Sequence, residues 1–376
     1  MDLYFRKFKI RNFLFYIIFL FIFFEITSYY FLKSILKDEI YFKDFEQKRK
    51  IIQKDKKILL EYYNSQNYSK YLGWDNSSDP RVNSLLARND ETNEKKKKEI
   101  IAYGSSFCWG DGLKNDETWP HYLSNLRNTY VANYGVGGYS FYQSFLKFKN
   151  KNTVNENTKI VILSIFESEI DRLRSVYEKF YFNSSHRIRP IPFIKNDVLT
   201  NINLPDFKKK KVDDELIFFL EKNKDLDYWW DRRINKEYLF SIKLISFFIM
   251  IIEDKFEHGL LFKKNKNNWN DKQTNSLFLK ISEEFSDIAK KRNLMPVILV
   301  LPRLRNKLPD GYKYQKILEE IKKKNIKVFD FSEYSNNFNL KNNRMTVLED
   351  GHFTGYTNQK ISQFLNLKIK NMILQE

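Results

Sequence analysis

The most informative stretch of the chain reads Ile100-Ile101-Ala102-Tyr103-Gly104-Ser105-Ser106-Phe107-Cys108-Trp109-Gly110. An apolar run leads into a Gly-Ser-Ser turn, and an amphipathic segment follows through Trp119, Tyr122 and Leu123. This order is typical of a parallel strand that delivers a side chain to the carboxyl edge of a sheet, where open α/β folds place their chemistry. We therefore predict that an α/β domain begins at residue 99.

Apolar and amphipathic segments alternate from that point to the end of the chain. The continuous apolar run 160–166 is typical of a strand covered on both faces. The other predicted strands are 100–103, 130–133, 296–301 and 327–331, and the predicted helices are 119–126, 139–150, 277–291, 314–324 and a closing helix through 361–369. This alternation predicts an α/β fold in three layers, α/β/α, with a mainly parallel sheet.

A second informative segment, Glu349-Asp350-Gly351-His352, lies near the C-terminus. A serine needs a base to take its proton, and that base is usually a histidine held by a carboxylate. Among the histidines at 121, 186, 258 and 352, only His352 follows an acid-glycine pair and precedes a closing helix. We favour Asp350 as its acid, with an N-cap role for Asp350 as the alternative. His121 is expected to face outward.

Four motifs in this order resemble the SGNH (GDSL-type) hydrolases, a family of esterases and acyltransferases. They are Gly104-Ser105-Ser106-Phe107, Gly110-Asp111-Gly112-Leu113 with Asp116-Glu117-Thr118-Trp119-Pro120, Asn133-Tyr134-Gly135-Val136-Gly137-Gly138, and Asp350-Gly351-His352. The resemblance covers about residues 68–370. It implies a flavodoxin-like three-layer fold and ester chemistry. When Phe107 is aligned with the phenylalanine of the family motif, Ser106 rather than Ser105 falls at the position of the nucleophile.

The resemblance also implies the remaining site residues. His352 would be the base, and Glu349 becomes the alternative acid because much of the family uses that spacing. The backbone amides of Ser106 and Gly135 would donate to the oxyanion.

Two positions depart from the family pattern. Ser105 replaces the usual aspartate, and Ser168 or Glu169 occupies the place of the asparagine that helps to hold the oxyanion. Ser168 could donate one hydrogen bond, whereas an ionised Glu169 has no donor. Ser168 is therefore a doubtful third oxyanion donor.

Cys108 is the single cysteine of the chain. The chain can form no intrachain disulfide, and a cysteine-based metal site is not expected. We predict no cofactor and no bound metal. Cys108 itself could be an alternative nucleophile, but the resemblance implies a packed side chain behind the active serine.

The N-terminus is predicted to be a membrane anchor. Residues 1–12 form a basic tail, and residues 13–32 are almost wholly apolar and long enough to cross the hydrocarbon core. The basic tail places the N-terminus in the cytoplasm and the bulk of the chain on the outer side of the cytoplasmic membrane. No small-residue cleavage site follows, so an uncleaved signal anchor is predicted. Glu25 is predicted to mark the outer boundary of the membrane-spanning segment. The alternative prediction is that this segment is a buried amphipathic helix.

The rest of the chain is divided by pattern. Residues 33–98 are predicted to be a linker and lead-in region, and residues 99–376 to be the SGNH-like domain. A long insertion, 173–275, interrupts this domain and includes the apolar run 239–252, which is too short to span a membrane. It is either a lid over the substrate or a decoration. Its arginines and their neighbours, at 172, 174, 187 and 189, could contact an anionic sugar polymer or form salt bridges.

The formal net charge of +18 comes largely from lysine runs that are typical of solvated faces. No nucleic-acid motif accompanies them, and no nucleic-acid partner is predicted. The expected activity is a serine-dependent O-acyl esterase or acyltransferase, with acetyl as the favoured acyl group. Its substrate would be a cell-surface carbohydrate or lipid-linked glycan, with a membrane-bound acyl-transfer protein as a further partner. The alternative is a catalytically degenerate protein that binds glycans or scaffolds surface-polymer assembly.

Overall fold

A computed structural model describes most of the chain. The described residues are 2–35, 45–65, 67–151, 153–182, 185–207, 211–228, 230, 240–242, 244–245, 248, 269, 271–304, 314–335 and 347–374. His258 and much of the predicted run 239–252 lie outside them.

Nine strands are found in this part of the chain. They are β1 (Tyr68–Ser69), β2 (Gly73–Trp74), β3 (Lys98–Tyr103), β4 (Tyr130–Asn133), β5 (Ile160–Phe166), β6 (Pro192–Lys195), β7 (Val198–Asn201), β8 (Met295–Leu301) and β9 (Lys327–Asp330). The central sheet has the order β4-β3-β5-β8-β9, and every neighbouring pair in it is parallel. The predicted α/β fold with a mainly parallel sheet is confirmed.

Helices connect the strands. They are α1 (Asp2–Ile35), α2 (Phe45–Lys54), α3 (Lys56–Tyr63), α4 (Ser106–Trp109), α5 (Trp119–Arg127), α6 (Phe141–Asn150), α7 (Glu178–Phe182), α8 (Val212–Lys222), α9 (Lys272–Lys291), α10 (Gln315–Lys323), α11 (Ser332–Ser335) and α12 (Gly355–Ile373). Thr118, Ser140, Asp271 and Thr354 accept hydrogen bonds at the N-termini of α5, α6, α9 and α12, which explains where these helices begin.

The sheet separates two hydrophobic cores. Alternate residues of one strand face opposite sides, so Ile101 and Tyr103 pack with α6, α9 and α10, whereas Ile100 and Ala102 pack with α5 and α12. Strand β5 is buried along its whole length, as its unbroken apolar sequence predicts. The two cores make the three-layer arrangement.

A third hydrophobic cluster joins the lead-in region to the insertion. Ile52 and Leu59, on α2 and α3, are fully buried against side chains of the insertion, which include Val176, Ile188 and Leu216. The lead-in region is therefore packed against the insertion before the central sheet begins.

The N-terminal helix α1 has an apolar stretch, Phe15–Ser34, that is long and apolar enough to cross a membrane. Most of its apolar side chains are exposed, which argues against the alternative of a buried helix. The carboxylate of Glu25 accepts hydrogen bonds from the backbone N–H groups of Phe240 and Ser241, at 2.6 and 3.1 Å. This acid therefore has partners from the insertion.

Candidate active site

The order of the strands in the central sheet determines where a crevice for a site can form. Relative to chain order the central sheet runs 2-1-3-4-5, which creates a switch point between β3 and β5, where such folds form their crevice. Ser106 follows β3, and Glu169 lies just after β5. The two residues that the sequence analysis set at these strand ends thus share one edge of the sheet.

The turn after β3 is fixed by close packing. A Cβ on Gly104 would lie 2.1 Å from Oγ of Ser164 on β5, so only glycine fits between these strands. Ser105 caps α4, and its Oγ accepts a weak hydrogen bond from the backbone N–H of Phe107 at 3.4 Å. Ser106 is therefore delivered at the first position of a tightly held helical turn, where it is 3% exposed.

His352 and Asp350, the predicted base and acid, lie next to each other. Nδ1 of His352 lies 3.0 Å from Oδ2 of Asp350, an ion-pair distance without the alignment of a good hydrogen bond. The backbone N–H of His352 donates to Oδ1 of Asp350 at 3.0 Å. Partial burial alone would raise the pKa of Asp350, but these contacts with His352 hold it below its ordinary value. Glu349 is exposed and forms no ion pair with any described residue.

Phe107 brings this pair to the nucleophile turn. Its ring centroid lies 5.0 Å from that of His352, and it stacks on Phe166 at the end of β5 with a centroid distance of 3.7 Å. Within the described residues, Oγ of Ser106 and Nε2 of His352 form no hydrogen bond with each other or with another group. The two segments meet, and attack would require the serine and imidazole to turn toward each other.

The two predicted amide donors differ in their present contacts. The backbone N–H of Ser106 has no hydrogen-bond partner among the described residues, so it can point at a developing oxyanion. The N–H of Gly135 donates to Oδ1 of Asn133 at 3.0 Å, so an oxyanion would have to share it. Gly135 has no room for a side chain, since a Cβ there would lie 2.4 Å from the backbone nitrogen of Trp109.

At the end of β5, Glu169 rather than Ser168 contacts the nucleophile turn. Its carboxylate is buried and accepts hydrogen bonds from Oγ of Ser105, from the backbone N–H of Phe166 at 3.1 Å and from Arg172 at 3.3 Å. Burial raises the pKa of Glu169 even though Arg172 and these hydrogen bonds oppose the shift. Ser168 is half-buried and makes no hydrogen bond to a described residue.

Arg88 holds the loop after the nucleophile and was missed by the sequence analysis. Its guanidinium is buried and donates to the carbonyl oxygens of Trp109, Gly110 and Leu113 at 2.6 to 2.9 Å. Burial lowers the pKa of Arg88 to about 10. The signal that could have found it is weak, because it is a single arginine just before a polar linker.

Asp111 is a second carboxylate near the histidine. A Cβ on Gly137 would lie 2.9 Å from its Oδ2, so this acid packs against the second glycine-rich block. Burial raises the pKa of Asp111, and the charge of His352 opposes that shift. The charge of the His352 imidazole thus acts to lower the pKa of three carboxyl groups, those of Asp111, Asp350 and Glu169.

Two predictions about other residues are resolved here. Cys108 is fully buried, and burial raises its thiol pKa to about 12, so it is not the alternative nucleophile.

The prediction that His121 faces outward is wrong: it is buried, and its Nδ1 lies 3.0 Å from Oδ1 of Asp90. That acid comes from the lead-in region, which periodicity within α5 could not reveal. His186 is buried beside Asp55, and burial lowers its pKa to about 4.

A cavity of about 520 Å³ opens beside the nucleophile loop. Its lining includes Trp109, Asp111 and Gly137 from that loop and the glycine-rich block, together with residues of the lead-in region and the insertion. Its full lining is Tyr62, Asn67, Trp74, Asp75, Asn76, Ser78, Asp79, Arg81, Trp109, Asp111, Val136, Gly137, Gly138 and Arg187. In the part of the chain described, no three His, Cys, Asp or Glu side chains are grouped to hold a metal.

Comparison with solved structures finds proteins of the G-D-S-L group. One is assigned to the lipolytic G-D-S-L family and comes from Desulfitobacterium hafniense DCB-2, with 12% identity, a TM-score of 0.34, and coverage of 72% of this chain and 98% of that chain. Another is a member of the lipolytic protein G-D-S-L family from Veillonella parvula DSM 2008, with 11% identity, a TM-score of 0.35, and coverage of 70% and 95%.

No family model matches the chain, and no curated protein does. The similar structures carry the same family name that the sequence motifs indicated.

Proposed function

We propose that the chain is a serine-dependent O-acyl esterase or O-acyltransferase of the SGNH type. The observation that carries the proposal is the Asp350–His352 pair, with 3.0 Å between carboxylate and imidazole, packed against Phe107, the residue after Ser106. A serine at a strand end, a histidine and a carboxylate are the groups that nucleophilic acyl transfer requires.

In the proposed mechanism, Oγ of Ser106 attacks the ester carbonyl carbon as Nε2 of His352 takes the hydroxyl proton. Asp350 orients the imidazole and stabilises its positive charge. The N–H of Ser106, with a shared N–H from Gly135, stabilises the oxyanion. Collapse breaks the ester bond, and the leaving alcohol takes the proton from His352. Water or a second sugar hydroxyl then attacks the acyl-serine by the same steps in reverse.

The substrate is proposed to be an acylated, most plausibly acetylated, saccharide presented at the membrane. Helix α1 supports an anchored enzyme. The basic residues before its apolar stretch favour an N-terminus inside and a site on the outer face of the cytoplasmic membrane. The cavity supports a substrate with several polar groups, since its lining is rich in amide, hydroxyl and charged side chains. A membrane-bound acyl-transfer partner would supply the acyl group if transfer rather than hydrolysis prevails.

Hydrolysis of a generic acetyl ester by the full-length protein in detergent tests this proposal. We expect turnover that Ser106→Ala reduces by at least about 10³-fold, because the nucleophile is lost. Covalent labelling by a fluorophosphonate probe should map to Ser106. Equal residual rates in the two proteins, or labelling at another residue, would remove the enzyme assignment.

The second candidate is a degenerate protein that binds glycans or scaffolds surface-polymer assembly. It is favoured by the hydrogen bond that occupies the Gly135 amide and by the absence of one from Ser106 to His352 within the described residues. Saccharide binding without any Ser106-dependent turnover would support it.

A further inference from the structure

The four arginines around the start of the insertion differ in their partners. Arg172 pairs with Glu169 at 3.3 Å, Arg174 with Asp271 at 3.0 Å, and Arg189 with Glu178 at 2.8 Å. These three form the salt bridges that the sequence analysis considered. Arg187 has only a loose contact, with 3.9 Å between its Nε and Oε2 of Glu178, and its side chain is 37% exposed.

Arg187 is nevertheless held in place. Its guanidinium lies over the indole ring of Trp74, 5.0 Å from the centroid, and its Nη1 packs 3.0 Å from where a Cβ on Gly138 would lie. Stacking on an aromatic face orients the planar group and leaves its N–H edge open for a planar or tetrahedral anion. The side chain is therefore fixed in position while its donors stay available.

One buried polar atom beside Arg187, the hydroxyl of Tyr62, lines the cavity and has no hydrogen-bond partner within the described residues. Buried polar groups in folded proteins nearly always have a hydrogen-bond partner, which here can be water or a ligand. The Arg187 end of the cavity is therefore built for a polar group that the protein does not itself provide.

The other charges along the cavity are already neutralised or lie toward the nucleophile. Asp75 pairs with Lys147 and Lys151, at 2.9 and 2.6 Å, and Asp79 pairs with Arg81 at 2.8 Å. Asp111 also lines the cavity and packs against Gly137, the residue before the Gly138 that Arg187 contacts. Of the cations that line this cavity, Arg81 pairs with Asp79 at 2.8 Å, whereas Arg187 has only the loose contact with Glu178 at 3.9 Å.

We propose that Arg187 binds an anionic group, a carboxylate or phosphate, on the substrate, so that the enzyme acts on acidic saccharide esters. This inference rests on the proposed function and names the substrate class of the same site. The acidic group would lie against Arg187 and Tyr62, and the acyl group would extend past Trp109 and Asp111 toward Ser106, which does not itself line the cavity. Arg187 would be a specificity residue that takes no part in the bond-breaking steps.

Kinetics of the full-length protein in detergent test the inference with three probes of matched acetylation. The probes are an acetylated neutral methyl glycoside, an acetylated methyl glucuronide and an acetylated sugar phosphate. We expect Arg187→Gln to raise KM for one or both acidic probes by about 10- to 100-fold, the range for a lost charge-assisted hydrogen bond. Values of kcat, and all values for the neutral probe, should stay unchanged. The acidic probe that responds identifies the anion.

Two further variants sharpen the result. Arg187→Lys should recover part of the loss because the charge is kept but the bidentate geometry is not. Lys195→Gln removes the same charge from an exposed strand residue and should change nothing. An equal loss on all three probes, or no loss on either acidic probe, would overturn the inference.

The inference can also be separated from the proposed function. If the wild-type protein hydrolyses none of the probes, direct binding of the same saccharides to it is measured instead. Tighter binding of an acidic probe that Arg187→Gln weakens would support the acidic site while the esterase proposal fails. Binding that does not distinguish acidic from neutral probes would reject the site.

Discussion

Oγ of Ser105 donates a hydrogen bond to Oε1 of Glu169, joining the ends of the neighbouring strands β3 and β5. The family resemblance leads one to expect an aspartate at the first position and an asparagine at the end of the second strand. This chain has a hydroxyl just after β3 and a carboxylate just after β5. A serine hydroxyl and a glutamate carboxylate thus join the turn that carries Ser106 to the end of β5.

The first prediction concerns the pH dependence that Glu169 brings to folding. Burial raises its pKa in the folded protein above the ordinary value of 4.5. The folded state therefore holds this proton more tightly than the unfolded state. The resulting stabilisation is full below the ordinary value and is lost as the pH rises through the folded-state pKa. As the pH rises through this window, we expect the free energy of unfolding of the wild type to fall relative to that of Glu169→Gln.

Thermal unfolding of both proteins across that pH range measures the difference. Glu169→Leu is the matched control, because it removes the acceptor for Ser105, for the Phe166 N–H and for Arg172. It should destabilise at every pH, by about 1–3 kcal/mol for unpaired buried groups. A constant difference between wild type and Glu169→Gln at all pH values would contradict the prediction.

The second prediction separates the two candidate acids. Asp350→Asn should reduce kcat by about 10²- to 10⁴-fold, since an orienting carboxylate beside the base has effects of this size. Glu349→Gln should leave kcat unchanged, because Glu349 has no ion-pair contact in the described chain. Steady-state kinetics on an acetyl ester measures both. The reverse order of effects would assign the acid to Glu349.

The third prediction is that Cys108 is chemically inert in the folded protein. The thiol is fully buried, with a pKa raised to about 12, so almost no thiolate is present at pH 8. Iodoacetamide should modify it only after unfolding in denaturant, as mass spectrometry would show. Rapid modification of the native protein with loss of activity would reopen the case for a cysteine nucleophile.

The fourth prediction concerns the ion pair that holds the lead-in region. Burial alone would raise the pKa of Asp75, but Lys147 and Lys151 hold it below its ordinary value. Asp75→Asn leaves the buried ammonium of Lys147 without a carboxylate and should cost about 3–5 kcal/mol. Thermal unfolding measures this loss.

The double variant Asp75→Asn with Lys147→Met tests the cause of that loss. It removes the uncompensated charge and should recover much of the stability, because an apolar side chain is tolerated in a buried position. If the double variant were as unstable as the single one, the loss would come from the shape of the site and not from its charge.

Much of the fold could be predicted because it depends on local patterns. Strands Tyr130–Asn133 and Ile160–Phe166 have the predicted bounds, since each is a short apolar segment bounded by polar residues. Helix α9 begins at Lys272, several residues before the predicted start, because Asp271 caps it through the backbone N–H of Thr274. The apolar periodicity used to predict this helix gives no information about its polar cap.

The site was harder to predict where it depends on contacts between distant residues. The pairing of Asp350 with His352 lies within one turn of chain and follows from the motif. The contact of Ser105 with Glu169 crosses two strands, and the sequence analysis judged Glu169 only by its lack of a donor. Arg88 and Asp90 lie in a region that sequence alone described as a linker, yet both reach buried partners.

The lead-in region has a further consequence. Trp74 and Asn76 donate to the carbonyl oxygens of Gly137 and Gly135, at 3.0 Å each, so this part of the chain forms a wall of the cavity. Residues 36–44 lie between helix α1 and helix α2. Nine residues span at most about 30–32 Å, at about 3.3–3.6 Å per residue. With α1 in the bilayer, so short a connection would keep the candidate active site close to the lipid headgroups.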